Sequence, residues 1–156
     1  MRIRAAIPDD AVEICNVLRR SIAELCTADH GGRDDILLPW LANKTPENVG
    51  KWIEQPFQTL LVAEIDSAMA GVGLATDEGE ILLNYVSPDY RFRGVSKALL
   101  SEFEKHLLLR SVTVVRLVST ETAHRFYAGQ GYKPVGEPQI WWGTTLSYPM
   151  EKQLSA

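Results

Sequence analysis

A short basic segment joins an apolar strand pattern to a long helical pattern, and it is written Arg91-Phe92-Arg93-Gly94-Val95-Ser96-Lys97. The first backbone N–H groups of a helix have no partner within that helix, and the helix dipole adds a partial positive charge there. Gly94 lets an anion approach the backbone closely, while Arg91, Arg93 and Lys97 add full charges. The segment therefore predicts a cradle for a pyrophosphate group, and an ordinary strand–helix turn with surface arginines is the alternative.

A second motif lies further along the chain and reads Ala123-His124-Arg125-Phe126-Tyr127-Ala128-Gly129-Gln130-Gly131-Tyr132. One interpretation makes Phe126 and Tyr127 two core aromatics at the end of a helix. The other makes them part of a functional site.

Together the two motifs resemble the GNAT acetyltransferase superfamily. Its cofactor loop follows [Q/R]-x-x-G-x-[G/A], which Arg91 and Gly94 match and in which Ser96 replaces the last residue. Its second signature, A-x-x-F-Y-x-x-x-G-[F/Y], matches from Ala123 to Tyr132 without a gap, and Thr120 stands where many members have Asn. The resemblance implies a mixed α/β (α+β) fold, with a mostly antiparallel central sheet flanked by helices on both faces.

The resemblance also implies an activity. It implies transfer of an acetyl group from acetyl-CoA to a primary amine of a small molecule or a peptide, by direct attack on the thioester. A non-catalytic acyl-CoA-binding or regulatory module of the same fold is the alternative. The retained Tyr127 favours the enzyme, because binding alone does not require a proton donor there.

The roles of individual residues are likewise implied by the family pattern. The pantetheine arm would pair with the backbone at Tyr85, Val86 and Ser87, and the Val86 N–H would polarise the thioester carbonyl. Tyr127 would protonate the departing sulfur, and Thr120 would help to hold the pantetheine arm. The loop residues expected to hold the pyrophosphate are Arg91, Arg93, Gly94, Val95, Ser96 and Lys97.

The general base is open between two residues and water. Glu80 lies six residues before Val86, where some branches of the family place a glutamate. Strand alternation would set Glu80, Asn84 and Val86 on one face. An exposed turn glutamate is the alternative. His30 lies on the loop that borders the acceptor site in this family, and its imidazole suits proton transfer near neutral pH. A solvated loop histidine is the alternative.

Acidic and aromatic residues mark the expected acceptor end. Asp29, Asp34 and Asp35 would form an acidic rim that attracts a cationic amine, unless they are simply solvated. Aromatic surface could come from Trp40, Trp52, Trp141 and Trp142. Packing in the core or in a homodimer explains these tryptophans equally well.

Local patterns predict the elements that must position these residues. The first predicted helix has Asp9 as its N-cap and ends at Leu25. The other predicted helices are Ile36–Leu41, Glu47–Ile53, Arg93–Leu109 and Thr120–Gly129. The predicted strands are Ile3–Ala6, Thr59–Ile65, Ala68–Ala75, Glu80–Val86, Val112–Val118, Tyr132–Val135 and Trp142–Glu151. Asp29 to Asp35 reads as a loop.

Composition excludes several classes of protein. The chain of 156 residues, with 46% hydrophobic residues and a net charge of −4, predicts one folded domain over 1–156 and no nucleic-acid partner. The first ten residues do not resemble a signal peptide, and no apolar run predicts a membrane span, so we expect a cytoplasmic protein. Cys15 and Cys26 fall on one helix, too far apart for a disulfide, and the three histidines predict no metal site.

The basic segment generates the first prediction. Acetyl-CoA and CoA should stabilise the fold by about 2–3 kcal/mol at a hundred times the dissociation constant, because the ligand binds only the folded chain. NAD and ATP should have little effect. Thermal denaturation with each ligand tests this, and a melting temperature that saturating CoA leaves unchanged would contradict it.

Overall fold

A computed structural model describes residues 1–141 and 145–155 of the chain. The helices are α1 (Ala11–Leu25), α2 (Thr27–His30), α3 (Asp34–Leu41), α4 (Pro46–Glu54), α5 (Val95–Leu109) and α6 (His124–Gly129). The strands are β1 (Arg2–Ala5), β2 (Gln58–Ile65), β3 (Ala68–Thr76), β4 (Glu80–Val86), β5 (Val114–Ser119), β6 (Lys133–Pro134), β7 (Gln139–Trp141) and β8 (Thr145–Gln153). Trp142, placed in the last predicted strand, lies outside the described residues.

The sheet confirms the predicted fold class. Its strands follow the order β1-β2-β3-β4-β5-β8-β6, and β7 pairs with β8. β4 and β5 run parallel, whereas the other described pairs are antiparallel. The parallel pair requires a long crossover, which α5 supplies.

Helices cover both faces of this sheet. On one face α5 buries Leu99, Phe103 and Leu107 against strand residues such as Val115 and Leu117. On the opposite face the buried residues come from α1, α4 and the strands β2 and β3, namely Ile14, Leu18, Val49, Val62, Val72 and Leu74. A third cluster, around Ile22, Cys26, Trp40 and Leu41, packs beside the end of α1. The spacing of apolar residues in α1 and α5 produces these buried stripes.

A bulge changes the faces of β4. Leu74 pairs with Leu83, but Ala75 pairs with Ile81, so Leu82 is an extra residue in β4. An extra residue reverses which face the residues on either side of it occupy. Ile81 therefore joins Val86 in the core beneath α5. The prediction that Glu80 shares a face with Asn84 and Val86 is wrong, because Glu80 lies beyond the bulge.

Several predicted boundaries also differ from the structure. The segment 29–35 is not a continuous loop, since α2 ends at His30 and α3 begins at Asp34. Asp9 is not the N-cap, because a short 3₁₀ turn, Pro8–Asp10, precedes α1. Asp10 there accepts hydrogen bonds from the Ile7 N–H and from Arg4, so side-chain chemistry at this end of the sheet fixes the start of α1.

Close packing against α5 explains the small residues of β3 and generates a prediction. A Cβ on Gly73 would lie 2.6 Å from Cε2 of Phe103, which is itself buried in the core. Gly73→Ala should therefore lower the free energy of unfolding by about 1–3 kcal/mol. Gly50→Ala is the matched control, because nothing lies within 4 Å of its Cβ position in α4, and it should raise stability by about 1 kcal/mol. Urea denaturation measures both, and equal effects would contradict the packing argument.

Candidate active site

The strands β4 and β5 separate soon after they meet. They pair only as Glu80 with Arg116 and Ile81 with Leu117, and beyond these residues they diverge. The gap opens into a cavity of about 160 Å³. The lining residues come from the end of α1 and the residue after it (Ser21, Leu25, Cys26), β4 (Ile81 to Val86), the loop and start of α5 (Arg91, Ser96), β5 (Leu117, Val118, Ser119), the connection to α6 (Thr120, Thr122, Ala123) and α6 itself (Tyr127). The cavity therefore reaches through the sheet from one helical layer to the other.

The backbone of β4 presents free groups to this gap. The Ser87 N–H donates to the Ala70 carbonyl at 2.8 Å, and Val86 is opposite Gly71. Successive residues of an antiparallel ladder direct their N–H and C=O groups alternately to the two sides. The N–H and C=O of Val86 therefore point away from β3, into the space that β5 has left. Ser87 is different, because its carbonyl accepts from Tyr90 N and its Oγ accepts from Asp89 N.

The loop before α5 holds a second set of free donors. Gly94 has a φ of 76° and precedes the helix, whose first backbone hydrogen bond runs from Ala98 N to Gly94 O. The N–H groups of Val95, Ser96 and Lys97 therefore lack partners within the helix. A Cβ at Gly94 would have no atom within 4 Å, so the space above the loop is open.

Full positive charges surround these donors. In the part of the chain that the structure describes, none of Arg91, Arg93 and Lys97 belongs to an ion pair. The Arg91 guanidinium lies 4.6 Å from the centre of the Phe92 ring, and that of Arg93 lies 5.7 Å from the Tyr90 ring. The loop is thus an open, positively charged concavity with several N–H donors, which suits a phosphate group.

Tyr127 closes the other end of the cavity. Burial raises the pKa of Tyr127 to about 12, and a hydrogen bond from the Asn84 side chain acts in the opposite direction. Asn84 Nδ2 also donates to the Ser96 carbonyl at 3.2 Å, whereas its buried Oδ1 has no partner in the described structure. The Tyr127 phenol therefore keeps its proton through the ordinary pH range and can donate it.

Comparison with known proteins shows the family to which the chain belongs. The acetyltransferase (GNAT) domain family matches residues 40–154. The chain belongs to the GNAT acetyltransferase family. It is 30% identical over 92 residues to an acetyltransferase of Pectobacterium atrosepticum, covering 57% of this chain and 64% of that protein. It is 32% identical over 89 residues to an acetyltransferase of Sodalis glossinidius, covering 55% and 61%. The chain thus spans less than two thirds of these curated relatives.

Solved structures share the fold over nearly the whole chain. A GCN5-related N-acetyltransferase from Rhodopseudomonas palustris has a TM-score of 0.84 at 23% identity, covering 98% of this chain and 95% of its own. The PaiA N-acetyltransferase from Thermoplasma acidophilum, solved with coenzyme A, has a TM-score of 0.78 at 22% identity and covers 98% of both chains. The resemblance inferred from the two motifs is confirmed, and acetyl-CoA is the typical co-substrate of the GNAT family.

The features of this cavity fit that co-substrate. The concavity at Gly94 suits a pyrophosphate, the open edge of β4 at Val86 suits an amide-bearing arm, and the unpaired Asn84 Oδ1 can accept a hydrogen bond. A buried polar atom without a partner costs about 1–3 kcal/mol, which a ligand can recover. The Thr120 hydroxyl accepts from the Ala123 N–H at 3.1 Å, so Thr120 holds the turn before α6 while it lines the cavity.

The two candidate bases of this GNAT domain lie elsewhere. Glu80 is exposed at the start of β4 and does not line the cavity. His30 is not a solvated loop residue, since it is buried, its Nε2 donates to the Ile22 carbonyl at 2.9 Å, and its Nδ1 accepts from the Gly32 N–H at 2.9 Å. Both imidazole nitrogens are therefore occupied by the turn that ends α2.

The acidic and aromatic residues predicted for the acceptor end do not form one surface either. Asp34 and Asp35 are exposed, and Asp35 pairs with Arg33. Trp40 lies in the core and Trp52 is half-buried. The Trp141 backbone ends β7, and Trp142 lies outside the described residues. The rim therefore does not form as predicted, because hydrophobic burial and local ion pairing use these side chains.

Asp29 has a role that the sequence did not indicate. Its buried carboxylate accepts from Glu121 N at 2.7 Å, from Thr122 N at 3.1 Å and from the Thr122 hydroxyl. Its carbonyl accepts from the Thr145 hydroxyl at 2.9 Å. Asp29 thus ties α2 to the connection that leads to Tyr127. No local pattern reveals this contact, because its partners lie more than 90 residues away in sequence.

The open space at Gly94 generates a prediction. Gly94→Asp should weaken CoA binding by at least about tenfold, and by more than Arg91→Ala or Arg93→Ala, because it puts a carboxylate where the pyrophosphate is expected. Titration calorimetry with CoA measures the affinities.

Gly136→Asp is the matched control for that change. Gly136 also has a positive φ, of 101°, and nothing lies within 4 Å of its Cβ position. The control therefore introduces the same charge, also at a position with a positive φ, among residues that do not line the cavity, and it should leave the CoA affinity unchanged. Equal losses in the two variants would show that the loop is not the binding site.

Proposed function

We propose that this protein is an acetyl-CoA-dependent N-acetyltransferase that moves an acetyl group to a primary amine by direct attack on the thioester. The observation that carries the proposal is that three features meet at one cavity: the Val86 N–H, the segment around Gly94, from which Arg91 and Ser96 line the cavity, and the phenol of Tyr127. Family membership supports acetyl transfer. That the acceptor is a primary amine is the part that this proposal adds.

Each group of the cavity would meet a different part of the co-substrate. The donors of Val95, Ser96 and Lys97, with the guanidinium of Arg91 or Arg93, would bind the pyrophosphate. The pantetheine arm would pair with the open edge of β4 at Asn84 and Val86, in the place of a neighbouring strand. The predicted contact at Tyr85 is not part of this proposal, because the N–H and C=O of Tyr85 face Val72 of β3. Ser87 makes its own hydrogen bonds within the turn. We therefore propose that Ser87 positions the loop and does not contact the pantetheine arm.

The reaction would then proceed across the sheet. The amine attacks the thioester carbonyl carbon, and the negative charge on its oxygen is stabilised by the Val86 N–H. Collapse of this intermediate breaks the carbon–sulfur bond, and Tyr127 donates its proton to the departing sulfur. The proton lost by the attacking nitrogen leaves through solvent. Glu80 has no part in this proposal, because it lies outside the cavity.

The cavity also gives the two substrates separate approaches. Asn84, Ser96 and Tyr127 lie on the face of the sheet covered by α5, and Ser21, Leu25 and Cys26 lie on the face covered by α1. We assign the first side to the co-substrate and the second to the amine. Such an arrangement supports direct transfer, because the two substrates meet where the strands separate.

Release of free thiol tests the proposal. Acetyl-CoA with a panel of primary amines should give steady thiol release that depends on the amine. The PaiA N-acetyltransferase structure contains coenzyme A, which supports the use of CoA thioesters as probes. Binding of acetyl-CoA without turnover on any amine would instead favour the non-catalytic acyl-CoA-binding module.

The phenol of Tyr127 generates a sharper prediction. Tyr127→Phe should lower turnover by about 10²-fold, because general acid catalysis contributes at least that much, and it should leave CoA affinity unchanged because the ring still packs. With a pKa of Tyr127 of about 12, the wild-type rate should not fall with rising pH through loss of this proton below about pH 11.

Tyr132→Phe is the matched control for Tyr127→Phe. Tyr132 is buried 5.7 Å from the Tyr127 ring, and its hydroxyl donates to Glu104 at 2.9 Å, outside the cavity. This change should lower stability by about 1 kcal/mol and leave turnover intact. Wild-type turnover in a folded Tyr127→Phe enzyme would reduce Tyr127 to a packing residue.

A further inference from the structure

The wall on which the amine would arrive is apolar. Leu82 and Val118 come from the two separating strands, line the cavity, and remain 44% and 59% exposed. Leu25, half-buried at the end of α1, lines the same wall. Val118 points away from the core beneath α5, because its neighbour Leu117 belongs to that core. Large exposed apolar side chains at a cavity mark a binding surface.

The described polar groups that line the cavity carry no negative charge. Among the described residues that line it, the titratable side chains are Cys26, Tyr85, Arg91 and Tyr127. Burial raises the pKa of the Cys26 thiol to about 12 and also raises the pKa of the Tyr85 phenol, so both stay protonated at neutral pH. Arg91 is a cation on the co-substrate side. The wall therefore offers a protonated amine no charge partner.

The carboxylates of the surrounding elements either lie outside the cavity or are engaged. Glu80, at the start of β4, is exposed and does not line the cavity. On α2 the carboxylate of Asp29 accepts from the Glu121 and Thr122 donors. On α1 the carboxylate of Glu24 pairs with Arg20, which also binds Asp89. Moving an ammonium group into an apolar site without an anion is costly. A neutral amine avoids that cost and is also the reactive form.

From these observations we propose that the acceptor is a weakly basic primary amine carried on an uncharged apolar group, bound in its neutral form against Leu25, Leu82 and Val118. This inference rests on the proposed acetyl transfer and specifies its substrate class. A free amino-acid derivative and the N-terminus of a peptide both present this chemistry, since an α-amino group has a pKa of about 7.7–8.0, against about 10.4 for a lysine side chain. Polyamines and lysine side chains are excluded as preferred acceptors.

The first test compares acceptors of different basicity. Leucinamide and a short neutral peptide that begins with leucine represent the two sources of the same chemistry. Nα-acetyl-lysinamide and spermidine represent strongly basic acceptors. We expect kcat/KM at pH 7.5 to be at least about a hundredfold higher for one or both leucine acceptors than for the basic ones, because the neutral fraction of the amine differs by that order. Preference between the first two identifies the source.

The pH dependence of kcat/KM gives a second test, because a purely structural role of the wall residues would not shift its inflection with the pKa of the acceptor. With leucinamide, kcat/KM should rise with pH and level off near the acceptor's own pKa of about 8, and the inflection should move when an amine of different pKa replaces it. An inflection at a fixed pH, whichever acceptor is used, would reveal a base on the protein and would overturn the inference. A preference for spermidine would overturn it as well.

A charge placed on the wall tests its location. Val118→Asp should lower kcat/KM for leucinamide by at least about tenfold and raise it for spermidine, because it supplies the missing anion. Val12→Asp is the matched control, since Val12 is 60% exposed on α1 away from the cavity, and it should change neither value. Equal behaviour of the two variants would contradict the location.

Two further measurements separate the possible failures. Leu82→Asp serves as the second wall variant where Val118→Asp does not fold, and a CoA-induced rise in melting temperature reports folding in each case. No transfer to any acceptor, with CoA binding retained, would count against the proposed function itself. Transfer that favours the basic acceptors would leave that function standing and would overturn only the apolar, neutral acceptor.

Discussion

The separation of β4 from β5 is the constraint on which the rest of the site depends. Two parallel strands that paired along their whole length would consume the N–H and C=O groups of Asn84 and Val86. Here the pairing stops after Ile81 and Leu117, so these backbone groups stay unpaired at the centre of the sheet. A buried backbone donor without a partner is costly. The fold therefore maintains a ready edge for an extended, amide-bearing ligand.

Contacts on both faces of the sheet keep β4 and β5 apart at this gap. The crossover from β4 to β5 runs through the Gly94 loop and α5, whose Leu99 and Phe103 anchor it to the sheet. On the other side Asp29 ties α2 to the connection that leads into α6. The two attachments are unlike, since one is hydrophobic and the other is a set of hydrogen bonds to a buried carboxylate. Each attachment holds a different wall of the cavity.

Sequence reasoning predicted the parts of the site that local patterns encode. The strand Glu80–Val86 was predicted with its observed bounds, and the Gly94 loop and the helix of Tyr127 were predicted from their motifs. Strand alternation failed at Glu80, because one extra residue at Leu82 reverses the faces and leaves no mark in composition. The burial of His30 was missed, and core packing of Trp40 was only one of the explanations left open, because a buried residue and a loop residue can share the same type and only tertiary packing distinguishes them.

The difference between buried and exposed residues of one type also explains why the number of acidic residues led to a wrong prediction of an acidic rim at the acceptor end. The segment from Asp29 to Asp35 is rich in carboxylates, yet the Asp29 carboxylate accepts hydrogen bonds from backbone donors and Asp35 is paired with Arg33. The side chains that reach the cavity from this layer belong instead to α1 and to the two separating strands, and they are apolar or neutral. Charge attracts a substrate only where the carboxylate faces it. Here Asp29 binds backbone donors, Asp35 binds Arg33 and Asp34 does not line the cavity, so the surface left for the amine is hydrophobic.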